Sequence, residues 1–235
     1  MKTECNIIQN KLLKKSKKSL IALFSTLSIV SFTAFAGGPD HMTMPSEQLT
    51  QAHPWSAIIS AGYTNYSNMY SNDGQTAIAG LAINRSIFAR NNWLFGIEAG
   101  VQTGNTMRLE ENQAIFNLLG VFAPVSTTEK PILDLTATLK KSFVNSPFFL
   151  EGKAGIAYRR WQFDNINSVN DLSQVGFEAQ AGAGYHINHR TDLSLLYQGI
   201  FGGNPHLTAN GTTGTGIVSN IPTQNGILLS LSHTV

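Results

Sequence analysis

From Trp55 onward, apolar and polar residues alternate in eight separate segments of this chain. A period of two belongs to a strand whose two faces meet different surroundings. Trp55, Ala57, Ile59, Ala61 and Tyr63 make the first apolar row, and Ala79, Leu81 and Ile83 the second, within 76–86. Trp93, Phe95, Ile97, Ala99 and Val101 follow, then Leu133, Leu135, Ala137 and Leu139. The fifth row is Phe148, Leu150, Ala154, Ile156 and Tyr158, and the sixth Val175, Phe177, Ala179, Ala181, Ala183 and Tyr185. Leu193, Leu195, Tyr197 and Phe201 make the seventh, and Ile227, Leu229, Leu231 and Val235 the eighth.

The connections alternate as well. Residues 64–75, 103–131, 163–174 and 202–225 are long, whereas 87–92, 142–147 and 188–191 are short. A soluble sandwich has no reason to sort its loops by parity. A barrel threaded up and down through a bilayer does, because its turns on one side are short and its loops on the other long. The expected fold is therefore all-β, an eight-stranded antiparallel up-and-down transmembrane β-barrel over 55–235.

Alternation alone does not say which face is wet, and a secreted soluble sandwich or barrel stays the alternative. Three features favour lipid outside. Glycines 96, 100, 155, 176, 182 and 184 fall on the polar rows, where they suit a crowded interior. Aromatic residues end the apolar rows, Trp55, Trp93 and Phe148 at one end and Tyr63, Tyr158, Tyr185 and Phe201 at the other. That is the layout of two interfacial girdles. The last strand closes on the apolar Val235.

Ahead of the strands, Lys2, Lys11, Lys14, Lys15, Lys17 and Lys18 precede an uncharged run from Leu20 to Phe35, which exits through Ala34-Phe35-Ala36. A basic start, a short apolar run and a small-x-small exit form a secretory signal peptide over 1–36, cleaved after about Ala36. The alternative is an uncleaved anchor, but the run is shorter than the ~20 residues of a spanning helix and is diluted by serine and threonine. Residues 37–54, with Pro39, Pro45 and Pro54, read as a flexible periplasmic leader. Six of the 16 basic residues and one of the 14 acidic residues lie in 1–36, so the rest carries 10 against 13, a formal charge of −3. The chain's apparent basicity is thus a targeting signal, and no nucleic-acid partner is implied. With Cys5 alone, no intrachain disulfide exists.

Charged residues on the polar rows are Glu98, Asp134, Lys140, Glu151, Lys153, Arg159 and Glu178. An ion inside a narrow barrel costs several kcal/mol unless paired, so these seven are expected to form a lumen charge network that plugs the barrel.

The segments 176–185 and 193–201, joined by a short turn, resemble the penultimate hairpin of small Gram-negative outer-membrane barrels: the OmpA transmembrane domain, OmpX and the opacity-type proteins. Residues 227–235 resemble the C-terminal strand read by the barrel-assembly machinery, although Val235 and His233 stand where such chains usually carry aromatics. The resemblance implies a structural or surface-interaction protein of the outer membrane and names no ligand. By default a monomer in contact with lipid and lipopolysaccharide is expected, and the long loops, carried on a rigid scaffold, are expected to bind a host or envelope ligand. A narrow porin-like channel is the alternative, and a lipid A-modifying enzyme a further one.

No catalytic, cofactor or metal site is expected. The histidines at 41, 53, 186, 189, 206 and 233 include the near pair His186 and His189, but spacing fixes no carboxylate beside them. A nucleophile would need a histidine in reach; His206 with Ser60 or Ser67 are the outer-side candidates, and no His-x-Ser pair occurs. In the second long loop, 114–122 is too apolar for a free aqueous loop and reads as a packed loop; the alternatives are an extension of the strands or a fold back over the barrel mouth.

Overall fold

A computed structural model of the chain describes residues 54–67, 69–70, 73–109, 113–119, 125–163 and 169–235. The expected signal peptide and almost all of the leader lie outside these residues. The strands, in order, are β1 (Trp55–Tyr66), β2 (Gln75–Arg90), β3 (Trp93–Gln102), β4 (Thr106–Arg108), β5 (Ser126–Glu129) and β6 (Ile132–Ser142). They continue as β7 (Phe148–Phe163), β8 (Leu172–Asn188), β9 (Thr191–Ile200), β10 (Leu207–Asn210), β11 (Thr215–Val218) and β12 (Gln224–Thr234). A single short helix, α1 (Gln113–Leu118), lies between β4 and β5 among the described residues.

Eight strands close a ring. β1, β2, β3, β6, β7, β8, β9 and β12 each pair antiparallel with their neighbours, and β12 returns to β1 through Ser56↔Thr234 to Tyr66↔Gln224. The result is a closed antiparallel up-and-down barrel, as the alternation predicts. Closure leaves no unpaired edge within the ring.

The pleat turns its apolar rows outward. Leu135, Ile156 and Leu229 are 50%, 52% and 49% exposed, whereas the polar neighbours Thr136 and Glu178 are 1% and 0% exposed. A protein dissolved in water would bury those leucines; one dissolved in hydrocarbon would not. The polar-row glycines are sites of close approach. An added Cβ would lie 2.0 Å from the Leu135 carbonyl oxygen at Gly155, and 2.0 Å from that of Leu195 at Gly182.

The turn between β2 and β3 shrinks to Asn91 and Asn92, with φ of 49° and 64°. This two-residue left-handed pair matches the twist of a hairpin, and asparagine tolerates it best after glycine. β2 therefore runs to Arg90, past the end at 86 that the sequence suggests, over a bulge between Ser86 and Phe88.

Two long loops carry structure of their own. β4 pairs with β5, which joins β7 beyond the end of β6, and β10 pairs with β11 as a separate hairpin. The apolar stretch 114–122 enters α1 and then Leu119, which packs into a cluster with Met69, Met107, Leu109, Val125, Trp161, Leu207 and Val218; 120–124 lies outside the described residues. These strands are three or four residues long, too short for alternation to mark them.

The girdles need one correction. Trp55, Trp93 and Phe148 mark the short-turn end, and Tyr63, Tyr158 and Phe201 the long-loop end, all at the exposed face. Tyr185 belongs with Phe148, not with Tyr158: they are register partners, with ring centroids 5.4 Å apart in an edge-on contact. β8 starts at the long-loop end and needs most of its 17 residues to reach the turn. At the short-turn end, Arg85 lies 5.3 Å from the Trp55 ring and Lys141 4.8 Å from that of Trp93. These cations snorkel past apolar rows toward the interface.

Candidate functional site

Alternate residues of all eight ring strands converge on the lumen, and their polar groups sort into three tiers. In the middle tier, Lys153 on β7 donates to Glu98 Oε1 on β3 at 2.6 Å and lies 3.8 Å from Glu151 Oε1. Asp134 on β6 faces the same charges. Glu178 on β8 takes no cation at hydrogen-bond distance among the described residues. Instead, Gln180 Nε2 and Gln198 Nε2 donate to its Oε1 at 2.7 and 2.6 Å. The space left between Ser60, Glu98, Gln102, Asp134, Lys153 and Gln180 is a cavity of about 20 Å³, room for about one water.

Arg159 stands apart in the tier toward the long-loop end. Its Nη1 donates to the Pro222 carbonyl at 2.6 Å, and its Nη2 to those of Phe201 and Ile221 at 3.4 Å each. Beside it, the Tyr66 hydroxyl contacts Glu129 and lies 2.7 Å from Gln224 Oε1. Glu129, on the excursion strand β5, is 2% exposed, and burial pushes its carboxyl up to about 7. A hydroxyl has one proton to give. Glu129 and Gln224 therefore share the Tyr66 hydroxyl as their donor. Directly adjoining is the apolar cluster of Tyr66, Met107, Leu109, Trp161, Leu207 and Ile221, each 0–4% exposed.

The tier at the short-turn end was hidden from the sequence. Lys140 Nζ donates to Asp192 Oδ2 at 2.6 Å, while Asp192 Oδ1 lies 2.7 Å from His186 Nδ1. The other ring nitrogen, Nε2, is 3.2 Å from Ser142 Oγ. The Phe149 ring packs on His186 with centroids 4.7 Å apart and receives Lys140 on its face at 4.5 Å. An added Cβ at Gly184 would come within 2.1 Å of that ring, so the glycine is what lets Phe149 lie beneath the imidazole. Spacing fixes no carboxylate beside His186, yet Asp192 is one. It is the second residue of β9, one before the alternating row begins, and the register pairs it with His186 across the hairpin.

Of the seven charges read from the sequence, then, Glu98, Glu151 and Lys153 meet in one network with Asp134 beside them. Glu178 is held by amides, Arg159 by carbonyls, and Lys140 by Asp192. The hydroxyl and imidazole considered at the outer side are not joined. Ser60 lines the mid-lumen cavity, Ser67 Oγ donates to the Thr223 carbonyl at 3.4 Å, and the His206 carbonyl accepts from the Ser219 N–H. Among the described residues, no group of three or more metal-ligating side chains is placed to hold an ion.

Neither a protein-family model nor a curated protein sequence matches the chain. Solved structures do. The outer membrane protein OprG from Pseudomonas aeruginosa aligns over 79% of this chain and 99% of its own, at 11% identity and a TM-score of 0.53. Ail, the attachment invasion locus protein of Yersinia pestis, aligns over 78% and 100% at 12% identity and a TM-score of 0.45. Neisserial surface protein A aligns over 77% and 97% at 12% identity and a TM-score of 0.43. The chain has the fold of the small outer-membrane β-barrels, of which OprG is an example.

Proposed function

We propose that this chain is an integral outer-membrane barrel of structural or surface-interaction role, its lumen closed and its long loops packed into a compact cap that meets molecules outside the cell. The observation that carries this reading is the apolar cluster at the long-loop end, whose residues are each at most 9% exposed and which adjoins a lumen crowded with buried polar side chains. An eight-stranded interior is just wide enough for its own side chains. The apolar outer face, the two aromatic girdles and the OprG-like fold support insertion in the outer membrane after export and loss of residues 1–36.

On this reading the partners are lipid and lipopolysaccharide along the outer face, and the barrel-assembly machinery through the C-terminal strand. A host or envelope ligand meets the cap, because rigid scaffolds display binding residues on their loops. The barrel acts as a monomer, with no cofactor and no nucleic acid. The test is conductance across a planar bilayer. Purified barrel should give no large, stable openings; such openings would replace the closed barrel with a narrow channel. Removal of the β10–β11 hairpin should abolish surface adhesion while leaving the barrel inserted, and unchanged adhesion would count against a binding cap.

A further inference from the structure

The short-turn mouth holds a chemistry that a closed structural barrel does not require. Asp192, His186 and Ser142 are joined in series, with a carboxylate at 2.7 Å from one ring nitrogen and a hydroxyl at 3.2 Å from the other. A carboxylate accepts but cannot donate, so the pair with Asp192 places the imidazole proton on Nδ1 and leaves Nε2 as a lone pair facing Ser142. This is the order of contacts that turns a serine into a nucleophile: base on the hydroxyl, acid behind the base. The three side chains come from β6, β8 and β9, so rigid barrel strands set their spacing rather than a loop.

The neighbours hold the arrangement. Lys140 occupies the second oxygen of Asp192, and the Phe149 face fixes the ring plane of His186. The cluster is reached by water, since the side chains of His186 and Asp192 are 16% and 20% exposed. The turn that follows Ser142 presents Phe143 and Val144, 43% and 73% exposed, an apolar ledge adjoining the serine at the level of the Trp93–Phe148 girdle.

We propose that Ser142, His186 and Asp192 form a hydrolytic triad at the short-turn mouth, acting on carboxylic esters whose acyl chain rests at the membrane–water boundary. Ser142 Oγ attacks the ester carbonyl carbon while its proton passes to His186 Nε2. Collapse of the tetrahedral adduct breaks the ester C–O bond, and the departing alcohol takes that proton. Water then attacks the acyl-serine, giving a proton to His186, which returns it to Ser142 Oγ as the carboxylic acid leaves. Ester and water are the only reactants. The proposal is independent of whether the cap binds a ligand or the lumen conducts.

The experiment uses the full folded chain in detergent micelles, with a fluorophosphonate probe read by mass spectrometry and p-nitrophenyl butyrate read by absorbance. Unboiled gel mobility identical to the parent confirms the fold of each variant. Ser142 of the parent should carry the phosphonyl group, and Ser142→Ala should lose both the label and turnover. His186→Gln should slow labelling by about 100-fold or more, the size of a general-base contribution. Asp192→Asn, which leaves the shape but misplaces the proton, should lower turnover by up to about 10⁴-fold. An unlabelled Ser142 in folded parent protein overturns the proposal. Equal labelling in folded His186→Gln, or equal butyrate turnover in Ser142→Ala, overturns it too.

Discussion

Replacing Lys153 with methionine probes the lumen most directly. Its ammonium is 2.6 Å from Glu98 and 3.8 Å from Glu151, with side chains only 3%, 5% and 10% exposed respectively. At an effective dielectric of about 20, those separations correspond to attractions of about 6 and about 4 kcal/mol. Each ion forfeits several kcal/mol of hydration on entering the barrel, so the pair as a whole contributes far less than their sum. Removing the cation alone is different: Glu98, Glu151 and Asp134 would then face one another without it. Loss of one partner of a buried pair costs about 3–5 kcal/mol, and Lys153→Met should lower the unfolding free energy by that amount. Glu98→Gln should cost roughly 2 kcal/mol more than Glu151→Gln, following the two attractions. The double variant Lys153→Met/Glu98→Gln should recover about 1–3 kcal/mol relative to additivity. Urea titration of the barrel in lipid vesicles measures all four, through the fluorescence of its three tryptophans. A Lys153→Met barrel as stable as the parent would refute the reasoning, as would a larger loss from Glu151→Gln than from Glu98→Gln.

Other perturbations read separate parts of the fold. Burial raises the Glu129 carboxyl from 4.5 to about 7, so its contribution is full below pH 4.5 and is lost as pH rises through 7. That gap corresponds to roughly 3 kcal/mol, and Glu129→Gln should flatten this part of the pH profile of unfolding; an unchanged slope between pH 5 and 8 would deny it. Leu135, mid-strand on the exposed face and paired with Ala99 and Ile156, should tolerate arginine in lipid at a cost of about 2–4 kcal/mol, whereas a water-facing position would show none. Gly182→Ala forces a Cβ to within 2.0 Å of the Leu195 carbonyl oxygen, while at Gly152 the nearest atom is 3.9 Å away. The first should cost about 1–3 kcal/mol and the second almost nothing, as heat-shift gels of the two variants will show.

The barrel could be read from the chain because its signal is local. Alternation at Trp93–Val101 or Val175–Tyr185 needs only neighbouring residues, and loop parity needs only their spacing. The excursion strands β4, β5, β10 and β11 carry too few residues for a period to emerge, and they are held instead by Met107, Trp161 and Leu207 brought from distant segments. The apolar row alone misplaces Tyr185 because it has no direction of its own; the residue's place follows from where β8 begins. Among the charges, polarity put Glu98, Lys153 and Arg159 inside but could not choose partners, which depend on the register between strands. Arg159 shows the limit: its height on β7 carries it past every lumen carboxylate of the middle tier, to carbonyls at 201, 221 and 222. The Ser142–His186–Asp192 line was least legible of all. Two of its members sit at strand ends outside the alternating rows, and the third looked like an ordinary turn histidine.

The two ends of the barrel differ in a way that bears on any chemistry inside it. At the long-loop end, Glu129 and Trp161 are 2% and 0% exposed, and polar atoms such as Glu129 Oε1, Arg159 Nε and Gln224 Nε2 are buried there without a hydrogen-bond partner among the described residues. At the short-turn end, Lys140, His186 and Asp192 keep 16–20% of their side-chain surface in contact with solvent. Between them, the middle tier leaves space for about one water. Among the described residues, the short-turn side is thus where lumen groups such as Lys140, His186 and Asp192 keep contact with solvent. The Ser142–His186–Asp192 line is thus within reach of water, whereas Glu129 and Trp161 at the opposite end are not.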